Sequence, residues 1–189
     1  EKAIAAKFAT IIRAPSNQVL RHAVIAPALV DAGLKISQAA VPDAAVAHIW
    51  DTGCLRLFLS HVSKYKERVV ALKRDLLTYR VSGFVAHEDI EPSLEWQNEI
   101  ELALRSTHAL AALLTSDFKA SNWTDQEIGI ALGKGAVVIP VRLGLNPYGF
   151  IGKNQALAAN LDDTKALAST LVDILLKQKG TSASMREHL

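Results

Sequence analysis

Two patterns of hydrophobic residues divide the chain near residue 53. Before it, apolar residues recur every three to four positions, as in "EKAIAAKFATIIRA" (1–14) and "QVLRHAVIAPALVDAG" (18–33). That spacing is typical of amphipathic helices. After it, short and almost wholly apolar runs alternate with longer amphipathic stretches. The pattern therefore predicts a helical N-terminal extension over residues 1–53 and a separate domain of alternating strands and helices over residues 54–178.

Within the second region, four apolar runs predict strands: "LRLFLSHV" (55–62), "VSGFVAH" (81–87), "ALAALLTSDF" (109–118) and "AVVIPVRL" (136–143). A fifth, shorter strand is expected within "QALAANL" (155–161). Amphipathic segments between the strands predict helices, and a closing helix with Asp163 or Thr164 as its N-cap follows. Continuously apolar strands separated by helices predict an α/β fold, with a parallel sheet covered by helices on both faces. Residues 179–189 are expected to form a C-terminal tail.

Polar residues of this region are concentrated in the loops that follow the strands. Right-handed crossovers place all strand-to-helix loops of such a sheet at one edge, where ligands bind outside the carboxyl ends of the strands. The predicted loops there are "SHVSK", "HEDIEPS", "TSDFKASNW" and "GLNPYGFIGK". We therefore expect the functional site at this edge.

The segment "SNWTDQEIGIALGKG" (121–135) offers a pair of candidate functional residues, Trp123 and Glu127. Residues four apart on a helix share a face, so the indole and the carboxylate are expected to flank one patch. A flat indole can stack on a nucleobase or nicotinamide, and a carboxylate can bind ribose hydroxyls and offset developing positive charge. The alternative is structural: T-x-x-E is a capping box, in which Glu127 bonds back to the backbone of Thr124.

Two other loops hold candidate groups. Ser60 and His61 end the first strand, and they are placed to hydrogen-bond a phosphate or ribose; the alternative is that Ser60 or Ser63 only caps the next helix. The acidic loop "EDIE" (88–91) is either a solvated turn or a segment that gates the site or docks on a neighbouring subunit. Trp96, one turn into the next helix, is expected to be a packing residue.

Composition excludes several classes of function. The 21 basic and 19 acidic residues nearly balance, and they form no basic stripe, so a nucleic-acid partner is not expected. No apolar run approaches the ~20 residues of a membrane span, and the single cysteine cannot form an internal disulfide, so we expect a cytoplasmic protein without a membrane partner. The histidines are scattered and no metal site is expected. Neither a glycine-rich phosphate loop nor a G-x-S-x-G nucleophile elbow occurs.

Three blocks in this order resemble the TIR (Toll/interleukin-1 receptor) domain, particularly its bacterial branch. They are "LRLFLSHVSKYKE", "GFVAHEDIEPSLEWQNEIELAL" and "SDFKASNWTDQEIGIALGKGAVVIPVRL". The second block is similar to the family's second strand, its BB loop and the helix after it; the third is similar to its W-x-x-x-E helix and fourth strand. The resemblance covers residues 54–178 and implies a flavodoxin-like parallel sheet of five strands.

The resemblance also implies an activity. Catalytic TIR domains cleave NAD⁺ into nicotinamide and ADP-ribose or a cyclic isomer, with NAD⁺ as substrate and no cofactor. The family's essential glutamate corresponds to Glu127, with Trp123 beside it, and the loop that lines the same pocket corresponds to Ser60 and His61. The BB loop, which governs access and TIR–TIR self-association, corresponds to Glu88, Asp89, Ile90 and Glu91, which are predicted to contribute to substrate binding.

Three functions remain open on the sequence. The first is an NAD⁺ nucleosidase of bacterial anti-phage signalling, whose product a downstream effector senses. The second is a non-catalytic module that works by TIR–TIR contacts, since many members of that family are adaptors. The third is a different N-glycoside hydrolase on a related sheet.

Overall fold

A computed structural model describes residues 41–86, 94–178 and 181. The predicted helices before residue 41 lie outside the described residues, as does the acidic loop at 88–91. The strands are β1 (Leu55–Ser60), β2 (Val81–Phe84), β3 (Ala109–Thr115), β4 (Val137–Leu143) and β5 (Leu157–Ala158). The helices are α1 (Asp43–Val46), α2 (Lys66–Leu77), α3 (Leu94–Ser106), α4 (Thr124–Gly133) and α5 (Thr164–Lys177).

All five strands are parallel and lie in the order β2-β1-β3-β4-β5. The predicted parallel sheet is confirmed, and so is the short fifth strand, whose Leu157 pairs with Val141 of β4. The helix after β1 (α2) and the helix after β3 (α4) cover opposite faces of the sheet, so the connections that leave these two neighbouring strands run in opposite directions. The gap between the carboxyl ends of β1 and β3 is the topological switch point of this sheet, where ligands bind in folds of this kind.

The core lies on both faces of the sheet, as continuously apolar strands require. Alternation along β1 sends Leu57 and Leu59 to the face covered by α2 and α5, and Phe58 to the face covered by α3 and α4. By the same period of two, Ser60 lies on the face of Phe58. The last residue of β1 is therefore a hydroxyl under α3 and α4.

The helix N-termini agree only in part with the sequence-based predictions. Asp163 caps α5 as predicted, since its Oδ1 accepts from the backbone N–H of Ala166 at 3.0 Å. Neither Ser60 nor Ser63 caps α2: its N-cap is Tyr65, which has no side-chain cap hydrogen bond and follows a 3-10 turn at Ser63–Tyr65. The alternative role for Ser60 as a cap is therefore wrong.

Residues 41–53, which the sequence pattern grouped with the extension, lie in the same compact unit as the sheet. Val46 and Trp50 are buried in the core on the α3 and α4 face. The indole Nε1 of Trp50 donates to Ser106 Oγ at 2.8 Å, and its ring lies 5.9 Å from that of Phe84. The domain division at residue 53 stays a prediction, but the segment just before it supplies core side chains. No helix among the described residues is long and apolar enough to cross a membrane.

Candidate active site

Ser60 stands at the switch point because β1 ends there. It pairs with Ala112 in the middle of β3 and is 1% exposed. A hydroxyl buried so completely requires a hydrogen-bond partner. Its partner comes from α4, the helix after β3.

The Glu127 carboxylate is that partner. Ser60 Oγ donates to Oε2 of Glu127 at 2.5 Å, and Glu127 is 3% exposed. The capping box is wrong, because α4 begins with Thr124 already inside the helix and with Trp123 as N-cap. Thr124 Oγ1 donates to the carbonyl oxygen of Phe118 at 2.9 Å instead. Glu127 therefore lies in the second half of the first turn, with its side chain directed to the end of β1.

Burial raises the pKa of Glu127 to about 7, and the Ser60 hydrogen bond opposes that rise. An isolated carboxylate in an apolar interior favours its neutral form, whereas a donated hydrogen bond favours the charged form. A carboxyl group that titrates near neutrality at the ligand-binding edge of a sheet is a marker of a functional site.

Trp123 and Glu127 share the wall of one cleft, as their spacing predicts. The cleft lies between α3 and α4 and has a volume of about 240 Å³. Trp123 is half-buried, and its ring meets that of Trp96 edge to face at a centroid distance of 5.3 Å. Trp96 is buried and its Nε1 donates to the carbonyl oxygen of Ala86 at 2.7 Å, so it is a packing residue as predicted. The other lining residues are Gln97, Ile100, Glu101, Leu104, Gln126 and Ile130.

Polar side chains link the loops at this edge of the sheet to one another and to the start of α4. Lys64, after β1, pairs with Asp117, after β3, at 2.5 Å. Tyr148, after β4, donates its hydroxyl to Asp125 Oδ1 of α4 at 2.6 Å, and Lys119 Nζ lies 4.1 Å from the centre of its ring. The sequence predicts that these loops share one edge, but it does not predict the two pairs. Lys64 and Asp117 are 53 positions apart, and Asp125 and Tyr148 are 23 apart, so no local pattern indicates their contacts.

The remaining predicted site residues are placed differently. His61 is buried, and its Nδ1 donates to the carbonyl oxygen of Leu59 at 2.8 Å, which turns that edge of the ring toward β1. Glu88, Asp89, Ile90 and Glu91 lie outside the described residues, and their roles stay predictions.

A larger cavity, of about 530 Å³, lies at the opposite edge of the sheet, beside residues 43–56. Its charged side chains have partners: the Arg56 guanidinium pairs with Asp43 at 2.6 Å, and Asp51 Oδ2 accepts from the Ser82 hydroxyl at 2.8 Å. It lies at the amino ends of the strands, away from the edge where ligands bind in folds of this kind. Among the described residues, no three His, Cys, Asp or Glu side chains are grouped to hold a metal ion. The cleft at Glu127 is therefore the candidate active site.

Comparisons with known proteins agree with this fold. The family model described as "TIR domain" matches residues 57–176. One similar solved structure is the TIR domain of the Toll-related receptor TRR-2 from Hydra magnipapillata, with a TM-score of 0.52 and 16% sequence identity. The match covers 66% of this chain and 99% of that one. A comparison with the curated proteins found no match.

Proposed function

The chain belongs to the TIR domain family, and on that basis we propose that it is an NAD⁺ nucleosidase, which releases nicotinamide from NAD⁺. The products are ADP-ribose or a cyclic isomer of it. TIR domains act in signalling and commonly self-associate, so the coarser assignment to a TIR-type signalling function does not depend on catalysis.

The observation that carries the proposal is the Glu127 carboxylate, buried beside Ser60 and in the wall of a cleft that also contains Trp123. In the reaction, the bond from ribose C1′ to the nicotinamide nitrogen breaks, and its electron pair leaves with the base. The pyridinium becomes neutral while C1′ and the ring oxygen share positive charge. A carboxylate in a water-poor site stabilises that charge far better than one in bulk water.

Trp123 supplies the second requirement, a flat apolar surface beside the carboxylate. A half-buried indole held against Trp96 is pre-oriented, so a planar base can stack on it with little loss of side-chain freedom. After departure of the base, water bonds to C1′ and releases a proton, or an atom of the same ADP-ribose attacks C1′ and closes a ring. Glu127 binds the ribose diol and offsets the charge on either route.

The decisive experiment measures nicotinamide release from NAD⁺ by wild type, Glu127→Gln and Glu127→Ala. Removal of one preorganised charge-stabilising group commonly lowers the rate by about 10²–10³-fold, and we expect a loss of that size or more. Asp173→Asn is the matched control, because Asp173 is an exposed carboxylate on α5, across the sheet from the cleft. It should retain wild-type turnover. Full activity of Glu127→Gln would contradict the catalytic assignment.

The assay is to be run both in dilute solution and under crowded conditions that favour assembly. TIR sites are often completed by a neighbouring molecule, so a dilute sample alone can understate activity. A panel of nucleosides beside NAD⁺ tests for another N-glycoside hydrolase. Mass spectrometry of the product separates linear from cyclic ADP-ribose.

The second candidate function is a non-catalytic TIR–TIR interaction module. The side chain of Phe150, in the loop after β4, favours it, since it is 83% exposed and large exposed apolar side chains often mark contact surfaces. If wild type releases no nicotinamide even when assembled, this function replaces the enzymatic one.

The proposed biological role of the enzyme is bacterial anti-phage signalling, in which a downstream effector senses the product. The similarity of the W-x-x-x-E and opening-strand segments to the bacterial branch supports it. Expression in a bacterial host under phage challenge, with Glu127→Gln as control, tests it: protection that requires Glu127 is the expected result.

A further inference from the structure

Among the described residues, Ser60 supplies the side-chain hydrogen bond to the buried Glu127 carboxylate. Its hydroxyl lies 2.5 Å from Oε2 of Glu127, a short distance typical of a hydroxyl that donates to a charged oxygen. The two residues are 67 positions apart in the chain, and the contact exists because β1 and α4 meet at the switch point.

We propose that Ser60 is a positioning residue for the reaction, which fixes the orientation of the Glu127 carboxylate and favours its charged form. This inference rests on the proposed function, and it assigns Ser60 a role through Glu127 rather than through the substrate. The hydrogen bond occupies Oε2, which leaves Oε1 as the oxygen for the ribose diol.

The position of the donor is rigid. Ser60 is the last residue of a strand that is hydrogen-bonded on both sides, and it pairs directly with Ala112 of β3. Ser60 is 1% exposed, so bulk water does not compete with its hydroxyl for the carboxylate. A fixed donor of this kind holds an acceptor in one geometry without reorganisation during the reaction.

The charge of Glu127 depends on this one hydrogen bond within the described part of the chain. Its raised pKa has two causes, burial and the opposing hydrogen bond from Ser60, and no charged neighbour contributes. The elements packed against α4 do carry titratable groups, namely Glu101 and Arg105 of α3, Arg56 of β1, Arg142 of β4, Lys119 of the 3-10 turn after β3, and His61 beside Ser60. Removal of the Ser60 hydroxyl therefore leaves burial unopposed.

The test is the pH dependence of nicotinamide release by wild type and Ser60→Ala. Turnover of wild type should rise with pH through about 7, as Glu127 ionises. In Ser60→Ala the same rise should move upward by about one pH unit, because a hydrogen bond to a charged group is lost. The variant is then about 5-fold slower than wild type at pH 7 and about 10-fold slower well below pH 7, and the difference narrows at high pH.

Ser82→Ala is the matched control. Ser82 is also a strand residue and is also 1% exposed. Its hydroxyl likewise donates to a carboxylate, Oδ2 of Asp51, at 2.8 Å. Loss of a buried hydroxyl there should lower stability to a similar extent without moving the pH profile. If Ser60→Ala behaves in the same way, with an unmoved profile, Ser60 is only structural and the inference is overturned.

A readout that does not need turnover separates this inference from the proposed function. Carbon-13 NMR of labelled glutamate follows ionisation of the Glu127 carboxyl directly, with Glu127→Gln to assign its signal. The carboxyl should titrate at higher pH in Ser60→Ala than in wild type, even if wild type proves inert. If Ser60→Ala does not fold, Ser60→Cys replaces it, because a thiol fills the site but donates weakly. Equal titration in wild type and variant overturns the inference.

Discussion

At the scale of single residues, the site is built around a carboxyl group that the protein buries at a cost in stability. Glu127 is 3% exposed, and this burial raises its pKa from the ordinary value of 4.5 to about 7. A protein that needed only a folded sheet would place an apolar residue there. Groups that destabilise the fold while they serve chemistry are common in active sites.

The cost of this burial should appear in the pH dependence of stability. The pKa of Glu127 is higher in the folded than in the unfolded chain, so the folded state binds the proton more tightly. Its contribution to stability is therefore fully present below about pH 4.5 and falls as pH rises through about 7. The rise in the pKa of Glu127 means that, above pH 7, the folded state has lost about 3 kcal/mol of stability relative to its stability at low pH.

Glu127→Gln should remove this dependence. The amide has nearly the same shape but no charge, so we expect the variant to gain stability relative to wild type as pH rises from 5 to 8. Urea unfolding of both proteins at a series of pH values measures the difference. An unchanged difference across that range would show that the carboxyl is not perturbed by burial.

At the scale of elements, four helices divide between the two faces of the sheet, and only one pair lines the cleft. The helices α3 and α4 form its walls, whereas α2 and α5 pack on the other face of the sheet. The N-terminus of α4 is held by contacts from the loops after β3 and β4, so the direction of Glu127 does not depend on the helix alone. Stability and activity should therefore separate by the face of the sheet that is altered.

Asp163→Ala tests that separation. The Asp163 side chain caps α5, and loss of such a cap commonly lowers stability by about 1 kcal/mol. We expect a lower melting temperature with wild-type kcat for nicotinamide release, since α5 lies across the sheet from Glu127. Thermal unfolding and activity are measured on the same sample, and the activity assay is run at a temperature where both proteins are folded. A fall in kcat to match the lost stability would argue against independent faces.

At the scale of the whole molecule, the sheet order decides where chemistry is possible. The switch point of the sheet lies between β1 and β3, and Ser60 and Glu127 meet there. Residues before the family match also belong to this body, since Trp50 and Val46 complete the core beneath α3. The stable domain is therefore larger than the strand–helix pattern alone indicates.

Two truncated proteins test this larger domain. Deletion of residues 1–40 keeps Val46 and Trp50, whereas deletion of residues 1–53 removes both. Loss of a buried tryptophan alone commonly lowers stability by about 3–5 kcal/mol, so the shorter protein should unfold at a markedly lower urea concentration than the longer one. Equal midpoints would mean that residues 41–53 are not part of the cooperative unit.

The sequence by itself determined the parallel sheet, its helices and the edge that bears the candidate site, because hydrophobic period and run length are local properties. It also placed Trp123 and Glu127 on one face by their spacing. It did not decide whether Glu127 belongs to a capping box or to a functional site, since the segment Thr-Asp-Gln-Glu (124–127) is compatible with both.

Only the tertiary structure excluded the capping box, because the side chains of Thr124 and Glu127 have their partners outside the helix. The hydroxyl of Ser60 reaches Glu127 through the meeting of β1 and α4, and burial by the whole domain raises the pKa of the carboxyl. Likewise, Trp50 became a core residue only through Ser106 and Phe84, more than 30 positions away. Local patterns specify elements, whereas the free energy of burial and of long-range hydrogen bonds is set by how those elements pack.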